Sequence, residues 1–288
     1  MEVAMSDNHW QITYPQGMIK YVDFFRNELF QYEIYDAVVQ KYINKYANIE
    51  VNKLCALGCG TGRHEVQLKR MGYEIIGGER NRESFPVIEA VFRENGVEPI
   101  SLVEADFFDF ELLKKKLKSQ HFDCITLLFV PLSIEDTVKL VDIFEYFLKP
   151  GGLFISNQFI GYEEGFTPNI TLCDNDYAEN PLQKDLPYKE REYCVRLNTY
   201  KYKKNLIDWT AVYIFTDENG VVRMERDHDI IDVLLKDEYG SRLKSTNSSM
   251  ELLPLYEVNE ISTDANMPKT KDLSLIHISE PTRHLRIS

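Results

Sequence analysis

The chain has 288 residues, of which 44% are hydrophobic and 27% are charged, enough for one full-sized core with an appended subdomain. Its formal net charge of −13 argues against DNA or RNA as a substrate, because proteins that bind nucleic acids need a basic surface. The sequence opens without a basic and apolar leader, and it contains no apolar run long enough to cross a bilayer. We therefore expect a cytoplasmic protein without a membrane partner.

Five cysteines show no spacing typical of a metal site, and their odd number fits no complete disulfide framework. We therefore predict no bound metal ion. Cys55, Cys59 and Cys124 fall in predicted strands or the turn between elements, and we interpret them as small core residues.

An apolar strand that runs into three alternating glycines is the most informative segment. Residues 53–57 have the length and apolarity of a buried parallel strand, and a helix is predicted from Arg63 onwards. Between them Gly58, Gly60 and Gly62 supply a turn that a ligand can approach closely. This order of elements predicts the first unit of a nucleotide-binding α/β sheet, with an ordinary glycine-rich turn as the alternative.

The spacing of the glycines indicates the nucleotide. The dinucleotide fingerprint needs a third glycine where this chain has Arg63, and no phosphate-binding P-loop is present. The pattern G-x-G-x-G instead resembles the first motif of the class I S-adenosylmethionine (SAM) methyltransferase family. The resemblance implies that the methionine half of SAM lies against the turn, where open amides can meet its carboxylate. The residues concerned are Gly58, Cys59, Gly60, Thr61 and Gly62.

Acidic residues follow the second and third predicted strands. Glu79 lies 21 positions after Gly58, close to the spacing of about 20 expected between a glycine turn and a ribose-binding acid. The resemblance implies that Glu79 binds the ribose, that Asp106 receives the adenine amino group, and that Phe107 borders the base. A solvated turn acid is the alternative for Glu79.

Two later strands extend the resemblance. Residues 122–130 form the fourth predicted strand, which opens with a Phe-Asp pair common in the family and carries Phe129 as a further candidate cofactor contact. The Lys-Pro-Gly-Gly run at 149–152 predicts a helix stop before the fifth strand. Together, the matches over residues 53–159 predict a Rossmann-like, doubly wound α/β sheet. We assign residues 53–160 to this SAM-binding core.

Two positions depart from the family pattern. Ala56 replaces the acid usual on the first strand, which removes one contact to the ammonium end of SAM. Arg80 replaces the hydrophobic residue that usually flanks adenine, so its guanidinium either stacks on the base or points to solvent. Weaker SAM binding is expected, and a degenerate, non-catalytic relative is the alternative.

The regions around the core are assigned from pattern and resemblance. Apolar residues recur from 18 to 46 with helical character, and the resemblance implies that residues 1–52 form a helical cap over the cofactor. Trp10, Tyr14 and Tyr21 are candidates for its gate, with packing against the core as the alternative. Residues 161–190 are polar and broken by Pro and Gly, which predicts a loop or lid near the substrate.

A change to a two-residue period begins after residue 190. Alternation in 207–216, an Asn-Gly turn and a partner segment at 221–233 predict a hairpin, and residues 192–203 add a third strand. The predicted three-stranded antiparallel insert, residues 191–235, resembles that of amino-sugar and glycine or sarcosine N-methyltransferases. In those enzymes the insert roofs the active site and carries substrate contacts.

The last residues differ in origin from the rest. Residues 236–272 are predicted to end the core with a helix and a strand near 252–258. Residues 273–283 match the conceptual translation of a widely used transposase sequencing adapter, and residues 287–288 match its continuation after a variable index. We therefore exclude 273–288 from the fold prediction as an artefactual tail, and expect truncation near Asp272 with part of the final sheet missing.

The catalytic candidates follow from the chemistry of methyl transfer. The enzyme must hold a lone pair in line with an already activated methyl group and exclude water. Tyr14 lies where relatives carry a tyrosine near the methyl donor, and His228 lies on the predicted return strand beside Asp227 and Asp229. A solvent-facing strand position is the alternative for His228. The histidine that some amino-sugar enzymes carry after the fourth strand is absent from residues 130–135.

The sequence thus predicts a SAM-dependent methyltransferase acting on a nitrogen, or an oxygen, of a small polar metabolite. SAM is the expected cofactor, a small molecule the expected partner, and a homodimer is compatible with the sequence. A nicotinamide-dependent oxidoreductase is one alternative, although it would need the glycine that Arg63 replaces. A non-catalytic SAM-binding regulator is the other.

Overall fold

The computed structural model forms two compact units, Gln31–Tyr162 with Leu234–Ser288, and Glu163–Val233 with Met1–Phe30. It describes residues 19, 32–118, 121–128, 130, 132, 134–161, 171–179, 183, 185–203, 206–216, 220–232, 234–235, 249–254 and 273–279. Three gate or catalytic candidates, Trp10, Tyr14 and Tyr21, lie outside these residues, as does Phe129.

Helices and strands alternate through the first half of the chain. The elements in chain order are α1 (Tyr32–Tyr46), β1 (Lys53–Leu57), α2 (Arg63–Arg70), β2 (Glu74–Glu79), α3 (Ser84–Glu94), β3 (Ser101–Glu104), α4 (Phe110–Leu117), β4 (Phe122–Leu127), α5 (Ile134–Phe147), β5 (Leu148–Gly161), β6 (Thr171–Glu179), a short 3-10 helix (Tyr188–Glu190), β7 (Tyr193–Lys203), β8 (Leu206–Thr216), β9 (Val222–Asp232), β10 (Leu234–Leu235), β11 (Ser249–Pro254) and β12 (Leu273–Ser279). None of the described helices is long and apolar enough to span a membrane.

The first unit contains the predicted doubly wound sheet. Its strand order is β11-β12-β5-β4-β1-β2-β3, with β10 paired to β5. The five strands β3, β2, β1, β4 and β5 run parallel. The chain moves outward from β1 to β3 and then returns to place β4 on the other side of β1. This reversal is the position at which open α/β sheets bind ligands, beyond the carboxyl ends of the strands.

Helices cover both faces of the parallel sheet, which is why β1 is apolar from Leu54 to Leu57. Leu54 and Ala56 pack in the layer formed with α1, α2 and α3. Cys55 and Leu57 point to the other layer, formed with α4 and α5. All four are at most 3% exposed. A strand buried on both faces shows no polar alternation, as the sequence of β1 predicts.

The Phe-Asp pair that opens β4 has a structural role. Oδ2 of Asp123 accepts hydrogen bonds from the backbone N–H groups of Asn52 (3.0 Å) and Lys53 (2.8 Å), and Oδ1 lies 2.6 Å from Nζ of Lys149. Burial alone would raise the pKa of Asp123, but these donors outweigh it and lower the pKa. One buried carboxylate therefore joins the starts of β1, β4 and β5.

The glycines of the Lys-Pro-Gly-Gly run are required by the same junction. A Cβ atom at Gly152 would lie 2.8 Å from the carbonyl oxygen of Asp123 and 2.9 Å from that of Lys149. Both contacts are with backbone, which cannot turn away as a side chain can. Only glycine lets β5 approach β4 at this point.

The second unit contains an antiparallel sheet with the order β6-β7-β8-β9. The three predicted strands of the insert are present. The prediction of a loop over 161–190 is wrong for residues 171–179, which pair with β7 from Thr171↔Lys201 to Glu179↔Tyr193 and give the sheet four strands. The polar sequence TLCDNDYAE is a poor strand former, but it suits an edge strand, where exposed polar residues limit association.

The segment excluded from the fold prediction forms a strand. β12 pairs antiparallel with β5 from Leu273↔Phe159 to Ser279↔Leu153, and on its other side with β11. Residues 273–279 therefore belong to the sheet although the fold prediction set them aside, because the apolar residues of LSLIHIS suit a strand wherever the segment comes from. Its origin stays a prediction from the sequence.

Replacing Asp123 by Asn should lower the free energy of unfolding by about 2–4 kcal/mol, because an amide cannot accept both backbone N–H groups and also pair with Lys149. Urea unfolding at pH 7, followed by circular dichroism, measures this. Because the folded-state pKa of Asp123 is lowered, its stabilisation exists above the ordinary carboxyl pKa and is lost as pH falls. The difference between the two proteins should therefore shrink toward pH 3.

The matched control is Glu111→Gln, which removes an exposed ion pair with Lys114 (3.3 Å). Such a pair contributes at most about 1 kcal/mol. Equal urea midpoints for the Asp123 variant and the unmodified protein at pH 7 would show that the three strands do not depend on this carboxylate.

Candidate cofactor site

The turn after β1 has a backbone that only glycine adopts readily. Gly58, Gly60 and Gly62 have φ angles of +63°, +57° and +80°. A Cβ at Gly58 would lie 3.0 Å from Cγ2 of Val130, and one at Gly62 would lie 2.8 Å from Cγ2 of Ile88. The backbone conformation favours glycine at all three positions, and the nearby side chains leave little room for a Cβ at Gly58 or Gly62. The turn lies at the point where the strand order reverses.

Glu79, at the end of β2, holds the turn in place. The N–H of Gly60 donates to Oε2 (2.9 Å), and the N–H of Asn81 donates to Oε1 (2.8 Å). The N–H of Cys59 also donates to the carbonyl oxygen of Gly78 (3.3 Å). Each carboxylate oxygen can accept a second donor, so Glu79 can hold the turn and still bind two vicinal hydroxyls.

The ends of β2 and β3 bring the other predicted contacts together. Nη1 of Arg80 lies 3.6 Å from Oδ2 of Asp106, and the N–H of Phe108 donates to Oδ1 of Asp106 (2.9 Å). The ring of Phe107 would lie 3.6 Å from a Cβ at Gly58, so it borders the turn. Arg80 thus lies beside the predicted base-binding acid instead of pointing away from it.

Thr61 and Cys59 complete the predicted set. Thr61 is 3% exposed. Cys59 carries a free thiol, as do the other four cysteines. Nine of the ten predicted cofactor contacts are described by the structure, and they lie within the turn or at the strand ends beside it.

A buried polar cluster next to the turn was missed by the sequence analysis. Nδ1 of His64 lies 2.7 Å from Oδ1 of Asp36, which joins α1 to α2. Glu65, next in sequence, is 4% exposed, and its Oε2 accepts no hydrogen bond within the described residues. One signal was available: Asp36 occupies the same helical stripe as the core residues Val39 and Ile43.

The pKa of Glu65 is raised to about 7. Burial is the main cause, because it disfavours the charged form. The charge of His64 and a backbone hydrogen bond partly offset burial, whereas Asp36 and Glu79 raise the pKa further. A site with these acids disfavours a pyrophosphate and suits a ligand that carries a cationic end and hydroxyl groups.

His228 lies in the other unit and on an exposed face of its sheet. It is 46% exposed, and its Nε2 lies 2.9 Å from Oδ1 of Asp208. This position favours the solvent-facing alternative. Asp227 precedes it and points to the opposite face, as the alternation of a strand requires, and it is 8% exposed.

Comparison with known families identifies the domain that contains the turn. Residues 51–220, more than half of the chain, match the family model described as a methyltransferase domain. No curated protein sequence matches the chain.

Several solved structures share the fold. The chain is similar to DesVI of Streptomyces venezuelae, with a TM-score of 0.65, 16% identity and coverage of 93% of this chain and 100% of that one. It is similar to the sugar N-methyltransferase KedS8 of Streptoalloteichus, with a TM-score of 0.63, 17% identity and coverage of 96% and 98%. It is also similar to SAM-bound CalS10, an amino pentose methyltransferase of Micromonospora echinaspora, with a TM-score of 0.59, 16% identity and coverage of 91% of this chain and 96% of that one.

Because of Glu65, the free energy of unfolding should fall as the pH rises through about 7. Its folded-state pKa is raised, so its contribution is present below the ordinary carboxyl pKa of 4.5 and is lost at higher pH. Glu65→Gln should therefore be more stable than the unmodified protein at pH 8.5, by roughly 1–3 kcal/mol, with a smaller difference at pH 5. Urea unfolding at both pH values measures this.

The matched control is Glu89→Gln, which changes an exposed glutamate on α3. Its stability should follow that of the unmodified protein at both pH values. A Glu65 variant that loses stability in parallel with the unmodified protein between pH 5 and 8.5 would show that this carboxyl does not titrate in the folded state as described.

Proposed function

The chain belongs to the methyltransferase-domain family, and on that premise we propose that it transfers the methyl group of SAM to a nitrogen, or to an oxygen, of a small polar metabolite. The observation that carries the proposal is the side-chain-free turn after β1, held by Glu79 at the reversal of the strand order. A turn with this backbone lets a ligand lie close to the main-chain atoms of the protein.

The residues around the turn fit each part of SAM. In the proposal, residues 58–62 receive the methionine half, Glu79 binds the ribose hydroxyls, and Asp106 and Phe107 contact the adenine. Nη1 of Arg80 lies 3.6 Å from Oδ2 of Asp106. In the proposal, its guanidinium stacks on the base in the position of the usual hydrophobic residue. Phe129 and Tyr14 remain candidates outside the described residues.

In the proposed reaction, the protein acts chiefly by positioning the acceptor against the methyl group. Bound SAM supplies an activated methyl group on a sulfonium. The chain must hold the acceptor's lone pair in line with that group and keep water away. A neutral amine meets this requirement with little help, whereas an alcohol needs a stronger base. Because an amine needs the weaker base, we propose nitrogen ahead of oxygen as the methyl acceptor.

Fold similarity suggests the kind of acceptor. KedS8 and CalS10 are described as a sugar N-methyltransferase and an amino pentose methyltransferase. An amino sugar or a similar hydroxylated amine is therefore the acceptor class that we propose. The net charge of −13 agrees with a cationic small molecule instead of a nucleic acid. We further propose that the N-terminal segment caps the cofactor, that the insert contacts the acceptor and that the protein is cytoplasmic.

Titration calorimetry with SAM and with NADH tests the cofactor. We expect SAM to bind and NADH not to bind, because the turn lacks the third glycine of a dinucleotide site. Glu79→Ala should weaken SAM binding at least about tenfold, because it removes both the ribose contact and the hydrogen bond that holds Gly60. The control Glu74→Ala changes an exposed glutamate at the other end of β2 and should alter the affinity less than about twofold.

Binding of NADH without binding of SAM would overturn the proposal in favour of an oxidoreductase. Equal SAM affinities for the Glu79 and Glu74 variants would place the cofactor elsewhere.

Transfer of a labelled methyl group from SAM tests the reaction. The acceptors are matched amines, amino sugars and hydroxylated acids, and we expect amines to be labelled faster than their hydroxyl counterparts. Binding of SAM with no transfer to any acceptor would favour a regulatory protein. Faster labelling of the alcohols would overturn the preference for nitrogen.

A further inference from the structure

A buried carboxylate without a hydrogen-bond donor lies on α2, the helix that begins where the glycine turn ends. Glu65 is 4% exposed, and its Oε2 accepts no hydrogen bond within the described part of the chain. The turn and α2 belong to the same compact unit. A buried acceptor without a donor is unusual in a folded protein, so Glu65 indicates a missing partner.

The start of α2 directs Glu65 toward the turn. The N–H of Val66 donates to the carbonyl oxygen of Gly62 (3.0 Å), so the helix continues directly from the last glycine. Glu65 lies in the first turn of this helix, and helical side chains tilt toward the N-terminus. Burial is the main cause of the raised pKa of the Cys59 thiol, and the charge of Glu65 comes next, ahead of that of Glu79. Because Coulomb interactions weaken with distance, the Glu65 carboxylate lies close to the turn.

The end of β1 supplies no acid on the face of the sheet that α2 covers. Ala56 packs there together with Val66 of α2, and its side chain is only a methyl group. The strand that leads into the turn therefore offers no charge to the cationic end of a ligand. On this face the acid comes from Glu65, on the helix that follows the turn.

Three charged groups act on Glu65: His64 on the same helix, Asp36 on α1 and Glu79 at the end of β2. The imidazole of His64 already has an acidic neighbour, because its Nδ1 lies 2.7 Å from Oδ1 of Asp36. Burial is the main cause that raises the pKa of Glu65, and the two acids raise it further. A cation placed beside the carboxylate would favour its charged form and lower this pKa.

We propose that Glu65 binds the amino group of the methionine half of SAM. This inference rests on the proposed function and deepens it, because it assigns to one residue of α2 the part of SAM for which β1 has no acid. A protonated amine supplies both things that Oε2 lacks, a hydrogen-bond donor and an opposite charge. The backbone N–H groups of the turn are donors, so they suit the carboxylate of the ligand and not its ammonium group.

The experiment compares Glu65→Gln with the unmodified full chain by titration calorimetry at pH 7.5. The ligands are S-adenosylhomocysteine, which keeps the amino-acid end, and 5′-methylthioadenosine, which lacks it. Glu65→Gln should raise the Kd of S-adenosylhomocysteine about 10- to 100-fold, because the neutral amide no longer attracts the cation. The Kd of methylthioadenosine should stay within about twofold. The matched control Glu89→Gln, an exposed position on α3, should leave both Kd values within about twofold.

A second measurement detects the ion pair without a variant. The pKa of Glu65 is raised to about 7, so at pH 6 its carboxyl is mostly protonated in the free protein. The amino group of the ligand is already protonated at this pH. Forming the ion pair therefore displaces the proton of Glu65, and S-adenosylhomocysteine should release about one proton per molecule bound. Calorimetry in two buffers with different ionisation enthalpies measures this release. Methylthioadenosine, or S-adenosylhomocysteine with Glu65→Gln, should release close to none.

The outcomes separate the inference from the proposed function. If S-adenosylhomocysteine binds without releasing a proton at pH 6, or if Glu65→Gln leaves its Kd unchanged, the inference fails and the proposed function stands. If Glu65→Gln weakens both ligands equally, Glu65 shapes the site without binding the amino group, and the inference is overturned. If that variant does not fold, the proton release of the unmodified protein decides alone. If the unmodified protein binds neither SAM nor S-adenosylhomocysteine, the proposed function fails, and the inference falls with it.

Discussion

The hydrogen bond from the N–H of Gly60 to Glu79 is the interaction on which the proposed cofactor site depends. The three left-handed glycines of the turn after β1 have no side chains to hold its shape. The carboxylate at the end of the neighbouring strand supplies that restraint through the N–H of Gly60. Because β1 and β2 are themselves fixed in register by a parallel ladder, the turn inherits its position from the sheet. The position of the turn is therefore set by the fold.

Local signals made most of this arrangement predictable. The glycine spacing, the acid about twenty residues later and the Lys-Pro-Gly-Gly run each depend on backbone needs that a short sequence expresses. The core therefore followed from them, and so did the grouping of nine proposed cofactor contacts at the turn and the strand ends beside it. The strand β6 could not be predicted in the same way, because its backbone ladder to β7 prevails over the low strand propensity of its Asp and Asn residues. The Asp36–His64 pair was missed for another reason: the helical stripe indicates that Asp36 is buried, but the sequence does not indicate which residue of the next helix it meets.

Strand alternation explains why the sequence did not indicate which residues of the insert are buried. In the run Arg226–Asp229 all four residues are polar, so no apolar pattern indicates which face is buried. The sequence singled out His228 by its chemistry, whereas the structure turns Asp227 inward and His228 outward. Pairing across three strands decides this, through residues that lie 16 and 29 positions away in the chain. The presence of a histidine in a charged strand is thus a weaker indicator of function than the face of the sheet on which it lies.

The position of β12 has a consequence for how the protein behaves in solution. This strand separates β5 from β11, and its backbone satisfies the hydrogen-bonding groups along one side of each. A chain that lacked residues 273–279 would present the long flank of β5 to its surroundings as an open template. Self-association through that flank, into dimers or insoluble aggregates, would then be expected. The pairing partner of β5 therefore bears on solubility as well as on the fold.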